Sequence, residues 1–286
     1  MLVANDQNNV RSLAWQSQKS HAPFTCPECS NEVILRQGKI RAAHYAHKPP
    51  VFCAYGKGES DLHYRAKRAI YDSLCSHPNC RNCDLETRLP GVRPDISFAT
   101  GGSRVAVEFQ KSTLDIREIQ RRTERYAELG FYVLWLVADP VPSNADLADD
   151  GSIVMARPKE WQKYLHAIYF GRLYHWQEGA MVKPVHLEAH KYYVKPGNWV
   201  EDFEDEIGDS LEGTYWYDDN HPYADYGGHW KNSKAKKKVI PASGIGVDGT
   251  LHIVDHFKGS YRKLFESKNW TVPAGMVWMD RFKKWW

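Results

Sequence analysis

The residues that invite a chemical reading stand close together: Arg93-Pro94-Asp95-Ile96, the turn-forming Thr100-Gly101-Gly102-Ser103, and Val107-Glu108-Phe109-Gln110-Lys111. Side chains alternate across a strand, so Val105, Val107 and Phe109 face one layer while Glu108 and Gln110 share the other. On the preceding segment Ile96 and Phe98 suit the core and Asp95 projects the opposite way. The glycine turn lets the two strands pair with Asp95 near Glu108. Two carboxylates at that separation repel unless a divalent cation lies between them. Mg2+ or Mn2+ held by Asp95 and Glu108 orients a water, lowers its pKa and stabilises charge developing on a scissile phosphate, which is phosphodiester hydrolysis. Glu59, His63 and Lys67 recur at four-residue intervals along one helical stripe and offer a further ligand and phosphate contacts.

The six cysteines form two tight groups mixed with histidines, a metal-binding pattern rather than a disulfide one in a chain with no signal peptide. Cys26-x-x-Cys29 is the knuckle that tetrahedral zinc favours, with His44, His47 and Cys53 in reach. The expected set is Cys26, Cys29, His47 and Cys53, with His44 as substitute or outer partner. Cys75, His77, Cys80 and Cys83 read either as a second structural zinc site or as buried or redox-active thiols.

The elements that must position these residues follow from periodicity. Val33, Leu35, Ile40 and Tyr45 suit a small hairpin closing over the metal. Leu62, Ala66, Ala69, Ile70 and Leu74 predict a helix over 59–74 after Gly58 and Ser60. Strands are expected at Leu85–Leu89, Val92–Phe98 and Arg104–Gln110, as a meander. Ser112-Thr113-Leu114-Asp115 has capping-box spacing and opens an amphipathic helix that Gly130 stops. Phe131–Ala138 is a continuous apolar run, as in a strand buried on both faces. Beyond Pro140 a helix over 159–170 and strands at Leu173–Trp176 and Val182–Val194 are expected, with Tyr164, Tyr169, Tyr174, Trp176, Tyr192 and Tyr193 in the core. The acidic 201–219 and the basic 231–238 read as solvated loops.

The ordered motifs resemble a known family. Asp95 followed by Glu108-x-Gln110, behind a helix bearing Glu59, resembles the PD-(D/E)xK nuclease signature with Gln in the usual Lys position. More narrowly, the chain resembles the CoiA-like competence proteins through Cys26-Pro27-x-Cys29, Leu35-Arg36-x-Gly38-Lys39, His44-Tyr45-Ala46-His47, Glu59-Ser60-x-x-His63, Arg93-Pro94-Asp95-Ile96, Glu108-Phe109-Gln110-x-Ser112 and Arg122-Thr123-x-x-Tyr126. The resemblance implies an α/β fold: a zinc-ribbon-like module over 1–57, a restriction-endonuclease-like core over 58–142, and an accessory α+β region over 143–286. It implies catalytic roles for Asp95, Glu108, Gln110 and Glu59. Arg122 and Tyr126 match the spacing of a Gln-x-x-x-Tyr element in exonuclease branches. Since Gln110 cannot donate positive charge, Lys111 or Lys67 is the expected substitute.

Bulk properties set the remaining expectations. With 38 Lys+Arg against 35 Asp+Glu the chain carries no strong basic bias, so nucleic-acid contact must rest on local residues: His63, Lys67, Lys111, Arg122 and Tyr126. The longest apolar run is too short to cross a bilayer, which predicts a cytoplasmic protein without membrane contact. The expected cofactors are Mg2+ or Mn2+ for catalysis and Zn2+ for structure. The expected partners are DNA and other recombination or defence proteins. The function expected is a DNA-cutting nuclease; the alternatives are a catalytically idle DNA-binding accessory and a zinc-dependent adaptor.

Overall fold

A computed structural model describes residues 1–50, 52–55, 58–138, 154–156, 158–169, 171–177, 181–194, 229–241, 245–246, 251–253, 260–264, 268–272 and 276–280. The first strands are short: β1 (Val3–Asn5), β2 (Arg11–Leu13), β3 (Phe24–Thr25), β4 (Glu32–Arg36) and β5 (His44–His47). They form an antiparallel five-stranded sheet in the order β2-β1-β3-β4-β5. Alternation on β4 buries Val33 and Leu35 against Phe24 and Tyr45 in a small core of their own. Ile40 departs from the expected hairpin: at 94% exposure it lies in the β4–β5 connection, outside that core.

Then come α1 (Asp61–Ser76), β6 (Arg81–Leu85), β7 (Ile96–Thr100), β8 (Ser103–Gln110), α2 (Ile116–Glu128) and β9 (Phe131–Val137). Further on lie β10 (Val154–Ala156), α3 (Glu160–Ile168), β11 (Leu173–Gln177), β12 (Met181–Val194), β13 (His229–Pro241) and β14 (Ile245–Gly246). The large sheet runs β10-β13-β12-β11-β9-β8-β7-β6, with β14 beside β12. The last strands, β15 (Leu251–Ile253), β16 (Ser260–Leu264), β17 (Lys268–Val272) and β18 (Trp278–Asp280), pair β15 with β18 and β16 with β17.

The meander β6-β7-β8 is antiparallel, and β9 then joins β8 in parallel, with α2 as the crossover. Burial on both faces explains the unbroken apolar run of β9, where Val133 through Val137 are all fully covered. Each such side chain stabilises by roughly 1.5–3 kcal/mol. The His63 ring of α1 packs on Phe109 at 5.2 Å, while Tyr126 and Arg122 of α2 reach Glu108. Adjacent residues of a strand point to opposite faces, so α1 and α2 cover opposite sides of β8.

Several boundaries differ from the sequence expectation. Ser60 caps α1 by accepting the amide of His63, which leaves Glu59 just outside the helix. Asp115, not Ser112, caps α2, accepting from the Arg117 amide. The strand expected to begin at Leu85 ends there. Gly130 stops α2 with φ of 73°, where an added Cβ would meet the Arg104 guanidinium at 2.9 Å. The basic run Lys234–Lys238, read as a loop, lies within β13. The acidic 201–219 lie outside the described residues. Tyr164, Tyr169, Tyr174 and Trp176 are core residues as expected. Among the described residues no helix is long and apolar enough to cross a membrane.

Candidate active site

Two groups of ligand-type side chains exist among the described residues, each with all its ligand atoms within 4.8 Å of one another: Cys26, Cys29, His47 and Cys53, and Glu59, His63 and Asp95.

The first group is the set expected from spacing. Antiparallel pairing of β4 and β5 brings His47 opposite Val33, close behind the knuckle. A tight turn returns Ser30 and Asn31 onto Cys26 through backbone bonds of 2.9 and 2.8 Å. Cys29 Sγ lies 3.4 Å from His47 Nε2. The amides of Glu28 and Tyr55 donate to the sulfurs of Cys26 and Cys53, each at 3.4 Å. Burial pushes the Cys26 thiol up to about 11. At Cys29 burial is outweighed by hydrogen bonds from Asn31 and Cys26, and its pKa falls. Three thiols and an imidazole with amide donors to sulfur fit a bound metal ion, and a closed four-ligand set is consistent with structural zinc. His44 stands apart: its Nδ1 lies 2.9 Å from the Ala42 carbonyl oxygen and its ring stacks on Tyr64. Cys75, His77, Cys80 and Cys83 are not gathered into such a group. His77 Nδ1 is 4.0 Å from Cys80 Sγ and instead accepts the Asn79 amide.

The second group differs from the expected Asp95–Glu108 pair. The β7–β8 ladder ends at Ile96 opposite Val107, so Asp95 is released from strand alternation. Its Oδ2 accepts the Phe109 amide at 2.8 Å and lies 3.1 Å from His63 Nε2 on α1. Glu108, held in the ladder, points to α2, where Arg122 and the Tyr126 hydroxyl both donate to Oε1. Burial lifts Glu108 to about 7 against the pull of Arg122, with Asp95 adding to the rise.

Lys67, one turn beyond His63, is 1% exposed. Its ammonium bonds Glu59 and Glu86 and lies 3.6 Å from Asp95 Oδ1. Burial opposes its charge, but Glu86, Glu59 and Asp95 hold its pKa well above the ordinary lysine value. Burial likewise disfavours ionised Glu59 and Asp95. Lys67, the Met1 amino group and His63 nevertheless bring Glu59 to about 2, and His63 and Lys67 hold Asp95 well below the carboxylate range. Glu59 Oε2 lies 2.8 Å from the Met1 amino group and His63 Nε2 3.1 Å from Asp95 Oδ2, so both ligand atoms are held within the group by charge.

Other expected contacts fall differently. Gln110 turns away and donates to the Ser112 carbonyl at 2.7 Å. Lys67 and Tyr126 are enclosed, so neither presents itself to a nucleic acid. Lys111 is exposed, and Arg122 lines a cleft of about 800 Å³ with Cys29, Cys53, Tyr55, Glu59 and Asp95. Glu86 was not anticipated. It is 4% exposed, has φ of 52°, and accepts from the Leu2 amide, Tyr55 and Lys67, while its own amide bonds the Asp95 carbonyl. Its one signal in sequence is a second acid beside Leu85, which Asp84 flanks on the other side.

Two family models cover the regions that carry these two groups. Residues 59–145 match the family model "Competence protein CoiA, nuclease-like domain" and residues 6–56 match "Competence protein CoiA, N-terminal domain". Competence protein CoiA of Bacillus subtilis (strain 168) is 31% identical over 126 residues, covering 43% of this chain. The match spans about a third of that relative, 34% of its length. No solved structure matches the chain.

Proposed function

The chain belongs to the CoiA-like competence protein family, and from that premise we propose that it is a divalent-metal-dependent nuclease acting on DNA in competence-related processing, recombination or defence. Its core over 58–142 is read as a PD-(D/E)xK domain, 1–57 as a zinc-ribbon-like module and 143–286 as an accessory region. The observation that carries the reading is the convergence of the ligand atoms of Glu59, His63 and Asp95, with Glu59 and Asp95 lining the cleft.

Those three side chains would hold the catalytic cation. Bound there, a divalent cation supplies a polarised water and neutralises charge on the phosphate. An imidazole among the donors favours Mn2+ over the harder Mg2+. Lys67 keeps Glu59 and Asp95 ionised and brings the positive charge that Gln110 lacks. Arg122 presents its guanidinium at the cleft wall for a phosphate oxygen. Glu108, titrating near neutrality, can hold or release a proton beside it.

The test uses the full-length protein on single- and double-stranded DNA and on RNA, with Mn2+, Mg2+ or no added cation. Cleavage that needs a divalent cation and vanishes in Asp95→Ala is expected. Binding without cleavage under every cation overturns the reading in favour of an idle DNA-binding accessory. That second reading draws on Glu108 being engaged by Arg122 and Tyr126 and on Gln110 facing Ser112.

A further inference from the structure

We propose that the Cys/His metal module is a working part of the carboxylate site: metal held by Cys26, Cys29, His47 and Cys53 fixes Asp95 and Lys67 through Glu28, Arg93, Tyr55 and Glu86. The inference rests on the nuclease reading for its cation, and adds what controls the affinity for that cation.

Two routes lead from the sulfurs to the carboxylates. Glu28 sits inside the Cys26–Cys29 knuckle and bonds Arg93, with Arg88 3.6 Å away. Arg93 precedes Asp95 by two positions, across Pro94, whose ring fixes the intervening φ. A knuckle whose ligands are drawn together by metal therefore holds the segment that presents Asp95. The second route starts at Cys53, whose sulfur accepts the Tyr55 amide. The Tyr55 ring carries the Arg93 guanidinium at 4.0 Å, so the routes brace each other. The Tyr55 hydroxyl donates to Glu86, and Glu86 in turn holds Lys67 between Glu59 and Asp95. Glu86 has a left-handed φ that a non-glycine residue keeps only when its surroundings hold it there.

With the metal gone, Cys53 and its neighbour Tyr55 are tied to the Cys26–Cys29 knuckle only by weak thiol contacts and through Arg93, which bonds Glu28 and lies over the Tyr55 ring. Outer-shell partners of a metal site typically change its affinity by about 10- to 100-fold; Lys67 stands in that relation to the Glu59–His63–Asp95 group, and Tyr55 and Glu28 act one step further out, through Glu86 and Arg93.

The experiment measures Mn2+ binding to the full-length protein by electron paramagnetic resonance, with zinc content determined in parallel. Tyr55→Phe and Glu28→Gln should each keep their zinc, melt as wild type does, and bind Mn2+ about tenfold more weakly. Zinc-stripped protein should lose Mn2+ affinity and regain it when zinc is returned. Glu28→Gln and Arg93→Gln combined should weaken Mn2+ no more than the worse single change, as members of one path do. Variants and zinc-stripped protein that all bind Mn2+ within about twofold of wild type overturn the coupling while leaving the nuclease reading intact. Wild type that binds no Mn2+ overturns the cation site and the coupling with it.

Discussion

Lys67 Nζ lies 3.6 Å from Asp95 Oδ1, and the same ammonium bonds Glu59 and Glu86. Three carboxylates share one buried lysine, and with the Met1 amino group, 2.8 Å from Glu59, counted, one negative charge remains in excess whenever His63 is neutral. A group of this sign and burial is poised for a cation, and its stability hangs on the lysine.

Lys67→Met should therefore be among the costliest substitutions in the chain. It leaves Glu86 and Glu59 enclosed without their cation, for which about 3–5 kcal/mol is the usual loss. Urea unfolding measures it. A loss under about 1 kcal/mol means that the carboxylates reach water or take up protons instead.

Gln110→Ala should leave cleavage within about threefold of wild type, because the amide serves Ser112 and not the phosphate. Asp95→Ala should lower kcat/KM by at least about a hundredfold. Equal losses at both positions, measured on one substrate, would restore Gln110 to the catalytic group.

Glu108 gives the fold a pH signature. Its pKa is raised from 4.5 to about 7, so between those values the folded chain keeps a proton that the unfolded chain has released. Its contribution is present at low pH and is lost as pH rises through that window, at about 1.4 kcal/mol per pH unit. Thermal melts of wild type and Glu108→Gln, run without added divalent cation, should converge below the window. A parallel pair of curves across it contradicts the assignment.

Zinc analysis should find about one zinc per chain. Cys53→Ser should reduce it, and Cys80→Ser should not, since Cys75, His77, Cys80 and Cys83 do not close on one point. Retention of a second equivalent that Cys80→Ser removes shows that this loop rearranges around a metal.

The gathering of Cys26, Cys29, His47 and Cys53 was legible because it is encoded locally: Cys-x-x-Cys and a hairpin histidine need little beyond their spacing. His63 and Lys67 were legible for the same reason, as helical period places them together, whereas Glu59 reaches the same point from the loop before the Ser60 cap. Asp95 and Glu108 do feel each other's charge, as strand pairing led one to expect, but their oxygens serve different partners, because the ladder ends at Ile96 and Val107 and frees Asp95 to turn to His63 and Phe109. Glu86 was invisible because its partners come from Leu2, Tyr55 and Lys67, contacts that only tertiary docking creates. The length of the β4–β5 connection hid the exposure of Ile40 in the same way.

The bond from the Leu2 amide to Glu86 also bears on the order in which the molecule assembles. It joins positions 84 residues apart, whereas Arg122 and Glu108 are separated by 14. Closing the longer loop costs roughly 1.5 kcal/mol more in chain entropy. The Glu108 side can thus form within its own strand-helix-strand unit, early and locally. The cage around Lys67 must wait for Glu86 to emerge, while the segment that carries Leu2 can already pair with β2 and β3 in its own sheet. Pulse-labelled hydrogen exchange during refolding should accordingly find the Leu2 amide protected after those of β8 and β9; simultaneous protection would show that the chain closes in a single step.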